Sequence, residues 1–130
     1  MPMNTGLNFL MVGAGGALGA CARYAISFAV DPHLLRFPVA TLLANITGAL
    51  LAGFVVIWLI EKGLLGTAAH LFLIVGFLGG FTTFSAFSVD TLRLLEAGNI
   101  SYAAFNIGLN VAGSLIAVAA GANLAKSVLS

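Results

Sequence analysis

The sequence has very little charge. Its 130 residues include five Lys and Arg and four Asp and Glu, so that charged residues make up 7% of the chain. Soluble domains carry about 25% charged residues. Hydrophobic residues make up 61% of this chain, and a chain so small cannot bury them all, because its surface is large relative to its volume. The composition therefore predicts a protein whose solvent is largely membrane lipid.

Other absences exclude further classes of function. A net charge of +1 offers no basic patch, which argues against nucleic acid as a partner. The single Cys21 excludes an internal disulfide, and no Cys/His set has the spacing of a zinc site. No nucleophile, base and orienting group occur together, so the protein is not expected to be an enzyme.

Long uncharged runs lie between the few charges. A helix needs about 20 mainly apolar residues to cross the hydrocarbon core of a membrane. Four runs meet this requirement, and they predict transmembrane helices at about 8–30, 38–60, 68–95 and 101–126. We therefore predict a single all-α membrane domain, residues 1–130, with four spanning helices.

The basic residues are spread almost evenly over the two sides of the membrane. Four spans place Lys62 and Lys126 on one side, and Arg36 and Arg93 on the other, with Arg23 close to the second group. Cytoplasmic loops normally hold a clear excess of Lys and Arg. Either a small protein simply has few charges, or copies insert both ways up and pair as an antiparallel homodimer. The second interpretation also provides enough helices to enclose a pathway.

Small residues recur at helical spacing in three of the spans. They are Gly13, Gly15, Gly16 and Gly19 in the first span, Gly48 and Gly53 in the second, and Gly113 and Gly121 in the fourth. Small side chains at this spacing let helix backbones approach closely in a membrane. The pattern predicts tight helix–helix packing.

The third span combines glycines with hydroxyl side chains. It contains Gly76, Gly79 and Gly80 and then, within seven residues, Thr82, Thr83, Ser85 and Ser88. Glycine pairs weaken a helix, and hydroxyls bond the backbone groups that a break sets free. A break at membrane depth is tolerated only inside protein or beside water, and it often marks an ion site. We therefore predict that the third helix is broken mid-membrane. The alternative is a glycine-rich packing surface whose hydroxyls bond their own helix.

Two phenylalanines follow these glycines. Phe84 and Phe87 are three residues apart, so they share one face if the helix resumes. An aromatic ring is positive at its edge, and ring edges suit a route for a small anion. The alternative is that both rings pack in the core or face lipid, although here they alternate with serines.

Polar residues also occur inside the second and fourth spans. Asn106, Asn110 and Ser114 lie on one stripe of the fourth helix, and Asn45 lies in the second. Intramembrane polar groups usually face a bundle interior or a watery path. Amides and hydroxyls donate hydrogen bonds that replace part of an anion's hydration. The alternative is that they bond the helices to one another, and the sequence leaves both open.

These segments resemble the Fluc (CrcB-type) fluoride channels of bacteria and archaea over essentially the whole chain. The motifs are Gly-Ala-Leu-Gly-Ala-Cys-Ala-Arg-Tyr at 16–24, Thr-Leu-Leu-Ala-Asn-Ile-Thr-Gly at 41–48, Gly-Phe-Leu-Gly-Gly-Phe-Thr-Thr-Phe-Ser-Ala-Phe-Ser at 76–88 and Gly-Ser-Leu-Ile at 113–116. The third motif is the most specific. The resemblance implies an antiparallel, dual-topology homodimer in the bacterial inner membrane, with two pores that passively export fluoride and protect the cell from its toxicity.

The resemblance also implies roles for individual residues. The fluoride pore would be lined by Asn45, Phe84, Ser85, Phe87, Asn106, Asn110 and Ser114. Arg23 and Asp90 would lie in the vestibule. A structural sodium ion (Na+) at the dimer centre would be held by the backbone carbonyls of Gly79 and Thr82. The chain departs from the family pattern at Ala86, where threonine is usual.

Two other functions remain possible interpretations of the same chain. A small dual-topology multidrug exporter also has four short spans, but it needs a carboxylate inside the membrane, and no Asp or Glu lies mid-span here. A non-conducting membrane assembly protein would account for the small-residue faces but would leave the polar stripe without a role.

Overall fold

The computed structural model describes residues 4–30 and 36–130, which form four long helical spans. The spans are Thr5–Ala29, Val39–Glu61, Ala68–Glu96 and Ile100–Leu129. Each is long and apolar enough to cross a membrane. The prediction of an all-helical, multi-pass membrane protein with four spans is confirmed.

The third and fourth spans are not uniform α-helices. The third runs through Ala68–His70, a π-helical stretch Leu71–Leu78 and Gly79–Phe81, and it resumes as Phe84–Glu96. Between these parts Thr82 (φ −83°, ψ 156°) and Thr83 (φ −152°, ψ 123°) are extended, and we call them the extended pair. We call residues 68–81 the leading segment and Phe84–Glu96 the trailing segment. The fourth span has a shorter π-helical stretch, Leu109–Gly113, and π-helical turns are frequent at functional sites.

Two of the spans end in the same glycine-based cap. After the second span, Gly63 has φ 64°, and the Leu64 N–H donates to the Leu59 carbonyl at 2.8 Å. After the third span, Gly98 has φ 78°, and the Asn99 N–H donates to the Leu94 carbonyl at 2.8 Å. This is the Schellman arrangement, in which glycine takes the left-handed conformation just past the helix. It keeps both connections short, so that consecutive spans run antiparallel.

The spans pack in two main pairs, the first against the leading segment and the second against the end of the fourth, Ser114–Leu129. Glycines lie at both contacts. A Cβ on Gly19 would meet the Phe77 carbonyl, and one on Gly121 would meet the Leu50 carbonyl, so only glycine fits at this backbone separation. The trailing segment packs separately, against Ile100–Gly108.

Most of the apolar surface faces outward. In each span, at most 22% of the most apolar stretch is buried inside the chain. Large exposed side chains include Phe9, Phe28, Phe105 and Ile116. A surface of this kind is stable only against lipid or a second protein subunit.

Candidate functional site

The candidate site is built around the extended pair, and two hydroxyls shape it locally. The Thr83 Oγ1 accepts a hydrogen bond from the Ala86 N–H at 3.1 Å and thereby caps the trailing segment. The Thr82 Oγ1 donates to the Leu78 carbonyl at 2.8 Å and closes the end of the leading segment. The Thr83 hydroxyl thus replaces a hydrogen bond that a continuous helix would make, whereas the Thr82 hydroxyl adds a second bond to a carbonyl that already accepts from the Thr82 N–H.

Asn45 of the second span clamps the backbone of the extended pair. Its Oδ1 accepts from the Thr83 N–H at 2.8 Å, and its Nδ2 donates to the Thr83 carbonyl at 3.0 Å. In a continuous helix the Thr83 N–H would instead donate to the Gly79 carbonyl. The clamp therefore leaves that carbonyl without its helical donor. The next carbonyl, that of Gly80, accepts from the Arg23 Nε at 3.2 Å.

A chain of amides continues from Asn45 into the fourth span, and we call Asn45, Asn110 and Asn106 the asparagine column. The Asn45 Nδ2 also donates to the Asn110 Oδ1 at 2.8 Å. The Asn110 Nδ2 donates to the Asn106 Oδ1 and carbonyl, each at 2.9 Å. The Asn106 Nδ2 donates to the Thr91 Oγ1 of the trailing segment at 3.0 Å. Asn106 is 0% exposed and Asn110 5%. Through its bonds to Thr83 and Thr91, the column joins the second, third and fourth spans by hydrogen bonds.

A groove of about 610 Å³ lies beside the extended pair. Seven of the residues predicted for the pore, the vestibule and the sodium site line it, namely Asn45, Gly79, Thr82, Phe84, Phe87, Asn110 and Ser114. The remaining walls are largely apolar. Ser85 and Asn106 lie outside the groove; Ser85 is exposed, and its Oγ lies 3.2 Å from the Thr83 Oγ1.

The two phenylalanines form an edge-to-face pair on one wall of this groove. The centroids of the Phe84 and Phe87 rings are 5.2 Å apart, and the ring planes are inclined by 69°. Phe87 is 7% exposed and Phe84 76%, so one ring is anchored in the chain while the other projects from it. Both rings line the same groove as Asn45 and Asn110.

The residues predicted for the vestibule lie in different places. Asp90 lines a second cavity, of about 520 Å³, together with Arg36 and Arg93. The Asp90 Oδ2 accepts a hydrogen bond from the Thr41 Oγ1 at 2.8 Å. Arg23 lines neither cavity and is bound to the leading segment through the Gly80 carbonyl.

Comparison with known proteins assigns the chain to a family. Residues 10–122 match the family model described as CrcB-like protein, Camphor Resistance (CrcB). The chain belongs to the CrcB family.

Curated relatives of this CrcB-family chain are similar over most of their length. The fluoride-specific ion channel FluC of Saccharophagus degradans is 40% identical over 122 residues, which are 91% of this chain and 92% of the relative. The protein of the same name from Clostridium perfringens is 47% identical, over 90% of this chain and 92% of the relative. FluC 2 of Symbiobacterium thermophilum is 49% identical, over 88% of this chain and 94% of the relative. These names describe ion channels, which are not a class of enzyme.

Three threonines of this CrcB-family chain make contacts between helices that the sequence did not predict. The Thr41 hydroxyl donates to Asp90, and the Thr91 hydroxyl accepts from Asn106. The Thr83 N–H donates to Asn45. Thr83 carried a signal, because threonine is a preferred N-cap residue and the nearby glycine pair weakens the preceding helix. Nothing in the sequence distinguishes Thr41 or Thr91 from other threonines inside helices.

Proposed function

We propose that this CrcB-family protein is a fluoride-selective channel that exports fluoride passively across the bacterial inner membrane and so protects the cell from fluoride toxicity. The relatives named as fluoride-specific channels support this function. The observation that carries it is the groove, where two aromatic rings, two amides and a hydroxyl lie beside the extended pair. The extended pair acts as the mid-membrane break of the third helix.

The chemistry of the groove suits a small, strongly hydrated anion. An ion can leave its water only if protein groups replace the lost hydrogen bonds, and it moves on only if each site binds it weakly. Ring edges of Phe84 and Phe87 carry small positive partial charges, and the Ser114 hydroxyl adds a donor. Asn45 and Asn110 contribute the polar wall. Ser85, next to the rings, extends the route beyond the groove.

The hydrogen bonding of the extended pair supports the proposal of a cation near the break. The Thr83 N–H goes to Asn45, so it no longer donates to the Gly79 carbonyl. The Ala86 N–H goes to the Thr83 hydroxyl, so it no longer donates to the Thr82 carbonyl. Gly79 and Thr82 are the two residues predicted to hold Na+, and carbonyl oxygens are ligands that suit a hard cation. The bound ion would supply positive charge beside the anion route and would hold the subunits together.

A second copy of the chain completes this site. The groove is open to the surface of the chain, and the Phe84 ring projects from the chain with 76% of its surface exposed. We propose an antiparallel, dual-topology homodimer with two pores, in which the exposed ring packs against the partner subunit. The near-even distribution of basic residues supports insertion in both orientations. Arg23 and Asp90 would act at the approaches to the pores, with lipid around the dimer.

The decisive experiment is fluoride efflux from liposomes that contain the purified protein. We expect fast efflux of fluoride but not of chloride, and we expect Phe84→Ile to abolish it, because an aliphatic side chain has no positive edge. Phe105→Ile is the matched control, since Phe105 is also exposed (63%) but lies outside the groove. No efflux from folded wild-type dimers would refute the channel and would favour a non-conducting assembly protein.

A further inference from the structure

Asn106 is the most deeply buried polar side chain in the described part of the chain, and it does not line the groove. Its Nδ2 donates to the Thr91 Oγ1, and its Oδ1 accepts from Asn110. The amide is thus bonded at both ends to protein groups. A side chain in this position has no open path to a permeating ion, although the sequence pattern placed it on the same stripe as groove residues.

The hydrogen bonds of Asn106 are directional, and they act on Asn110. Thr91 receives one end of the Asn106 amide, which turns the Asn106 Oδ1 toward the Asn110 Nδ2. The Asn110 Nδ2 donates to both the Asn106 Oδ1 and the Asn106 carbonyl, and Asn110 therefore presents its Oδ1 to the Asn45 Nδ2. The Asn106 side chain thus supplies one of the two acceptors that orient Asn110, and Asn110 in turn orients Asn45.

The last amide in the column acts on the backbone of the extended pair. With its Nδ2 directed toward Asn110 and the Thr83 carbonyl, Asn45 presents its Oδ1 to the Thr83 N–H. If the Asn45 amide turned over, it would present a donor to that N–H and an acceptor to the carbonyl, and both bonds would be lost. The orientation of Asn45 thus determines whether the extended backbone at Thr83 is satisfied.

We propose that Asn106 is a positioning residue that acts through Asn110 and Asn45 on the backbone of Thr83, with Thr91 as its anchor. Its contribution to fluoride conduction rests on the proposed channel function, but its effect on Thr83 does not. The asparagine column therefore stabilises the extended conformation of the pair. Asn106 is not a binding site for the ion.

Thr91→Val is the sharpest variant, because valine has nearly the shape of threonine and removes only the hydroxyl that anchors Asn106. Thr91→Ser keeps that hydroxyl and is the rescue variant. Thr47→Val is the matched control, since the Thr47 Oγ1 bonds only carbonyls of its own helix, Leu43 and Ala44. Asn106→Leu removes the positioning amide itself.

Two readouts separate positioning from ion binding. NMR of protein labelled with heavy nitrogen at its threonines measures hydrogen exchange of the Thr83 amide, and liposome efflux measures conduction. We expect Thr91→Val and Asn106→Leu to raise the Thr83 exchange rate by about two- to tenfold, the range implied by one lost hydrogen bond. The other threonine amides should keep their rates, and efflux should fall in the same variants. Thr91→Ser and Thr47→Val should behave like the wild type.

Two results would overturn the proposal. Unchanged Thr83 exchange in Thr91→Val would show that the column does not transmit orientation. A loss of efflux in Asn106→Leu with wild-type exchange at Thr83 would assign Asn106 to the ion path itself. If the wild-type protein does not conduct, the channel function fails, but the exchange measurement still decides the positioning role.

Discussion

At the level of single residues, the two phenylalanines of the groove differ in how deeply they are buried. Phe87 is buried among neighbouring side chains, whereas Phe84 projects from the chain. Their edge-to-face contact means that the position of the exposed ring depends on the buried one. One ring therefore contributes to stability and positioning, and the other to the open wall of the groove.

We predict that Phe87→Ala destabilises the protein by about 3 kcal/mol, because truncating a buried phenylalanine leaves a cavity. In the monomer, Phe84→Ala should change stability much less, since most of that ring has no neighbour within the chain. Equilibrium unfolding in mixed micelles, at a protein concentration low enough to separate the subunits, measures both changes. Equal losses in the monomer would contradict the difference in burial.

At the level of helices, the contact between the first span and the leading segment depends on the register of small residues. Gly15 and Gly19 are buried against the backbone of Phe72 and Phe77, whereas a Cβ on Gly13 would have no neighbouring atom within 4 Å. All three belong to the same small-residue pattern in the sequence. Only two of them face the neighbouring helix.

We predict that Gly19→Ala destabilises the protein by about 1–3 kcal/mol, because the added methyl group would overlap a rigid backbone carbonyl. Gly13→Ala is the matched control in the same helix, and it should be neutral or stabilise by up to about 1 kcal/mol through helix propensity. Thermal unfolding in detergent distinguishes the two. Similar midpoints for both variants would mean that the first helix is not held at this separation.

The extended pair is a second feature at the level of helices. Its shape depends on an amide from the second helix and on a hydroxyl within the pair itself. Of the hydroxyls in the third-span motif, Ser88 bonds the carbonyl of Phe84 in its own helix, as the packing interpretation expected. Thr83 instead shapes the extended backbone. Hydroxyl side chains thus have two roles within one motif.

At the scale of the whole molecule, the proposed dual topology has a direct test. In a Cys21→Ala background, Lys62→Cys places one thiol in the connection after the second span. We expect a membrane-impermeant thiol reagent to label about half of the molecules from one side of the membrane, because the basic residues set no preferred orientation.

Asn99→Cys, in the connection after the third span, reports the opposite side and should also be labelled in about half of the molecules. Complete labelling of one variant with no labelling of the other would show a single orientation. The protein would then need a parallel arrangement of subunits to form a dimer.

The proposed structural cation is a second property of the whole molecule. Replacing Na+ by a large organic cation should lower the stability of the dimer, because a ligand that binds only the folded assembly stabilises it. At 100 times its dissociation constant the ion would contribute about 2.7 kcal/mol. Size-exclusion chromatography and thermal unfolding measure the change without reference to conduction. Equal stability in both cations would argue against a bound Na+ at Gly79 and Thr82.

Composition and the lengths of the uncharged runs by themselves determined the class of the fold. A chain with 7% charged residues and four apolar runs of spanning length has no soluble alternative, since every backbone polar group inside lipid must be bonded within a helix. The glycine and hydroxyl motif of the third span contains the extended pair. These are local properties, and local patterns report them well.

Only the tertiary structure decided which polar side chains meet. Asn45 is 38 residues from Thr83 and 65 from Asn110, so no periodicity along the chain relates them. Four-residue spacing placed Asn106 and Asn110 on one stripe. Packing between the helices decided that Asn110 lines the groove and that Asn106 is buried outside it. Hydrogen bonds depend on positions in space to within a few tenths of an ångström, and those positions follow from how the helices pack.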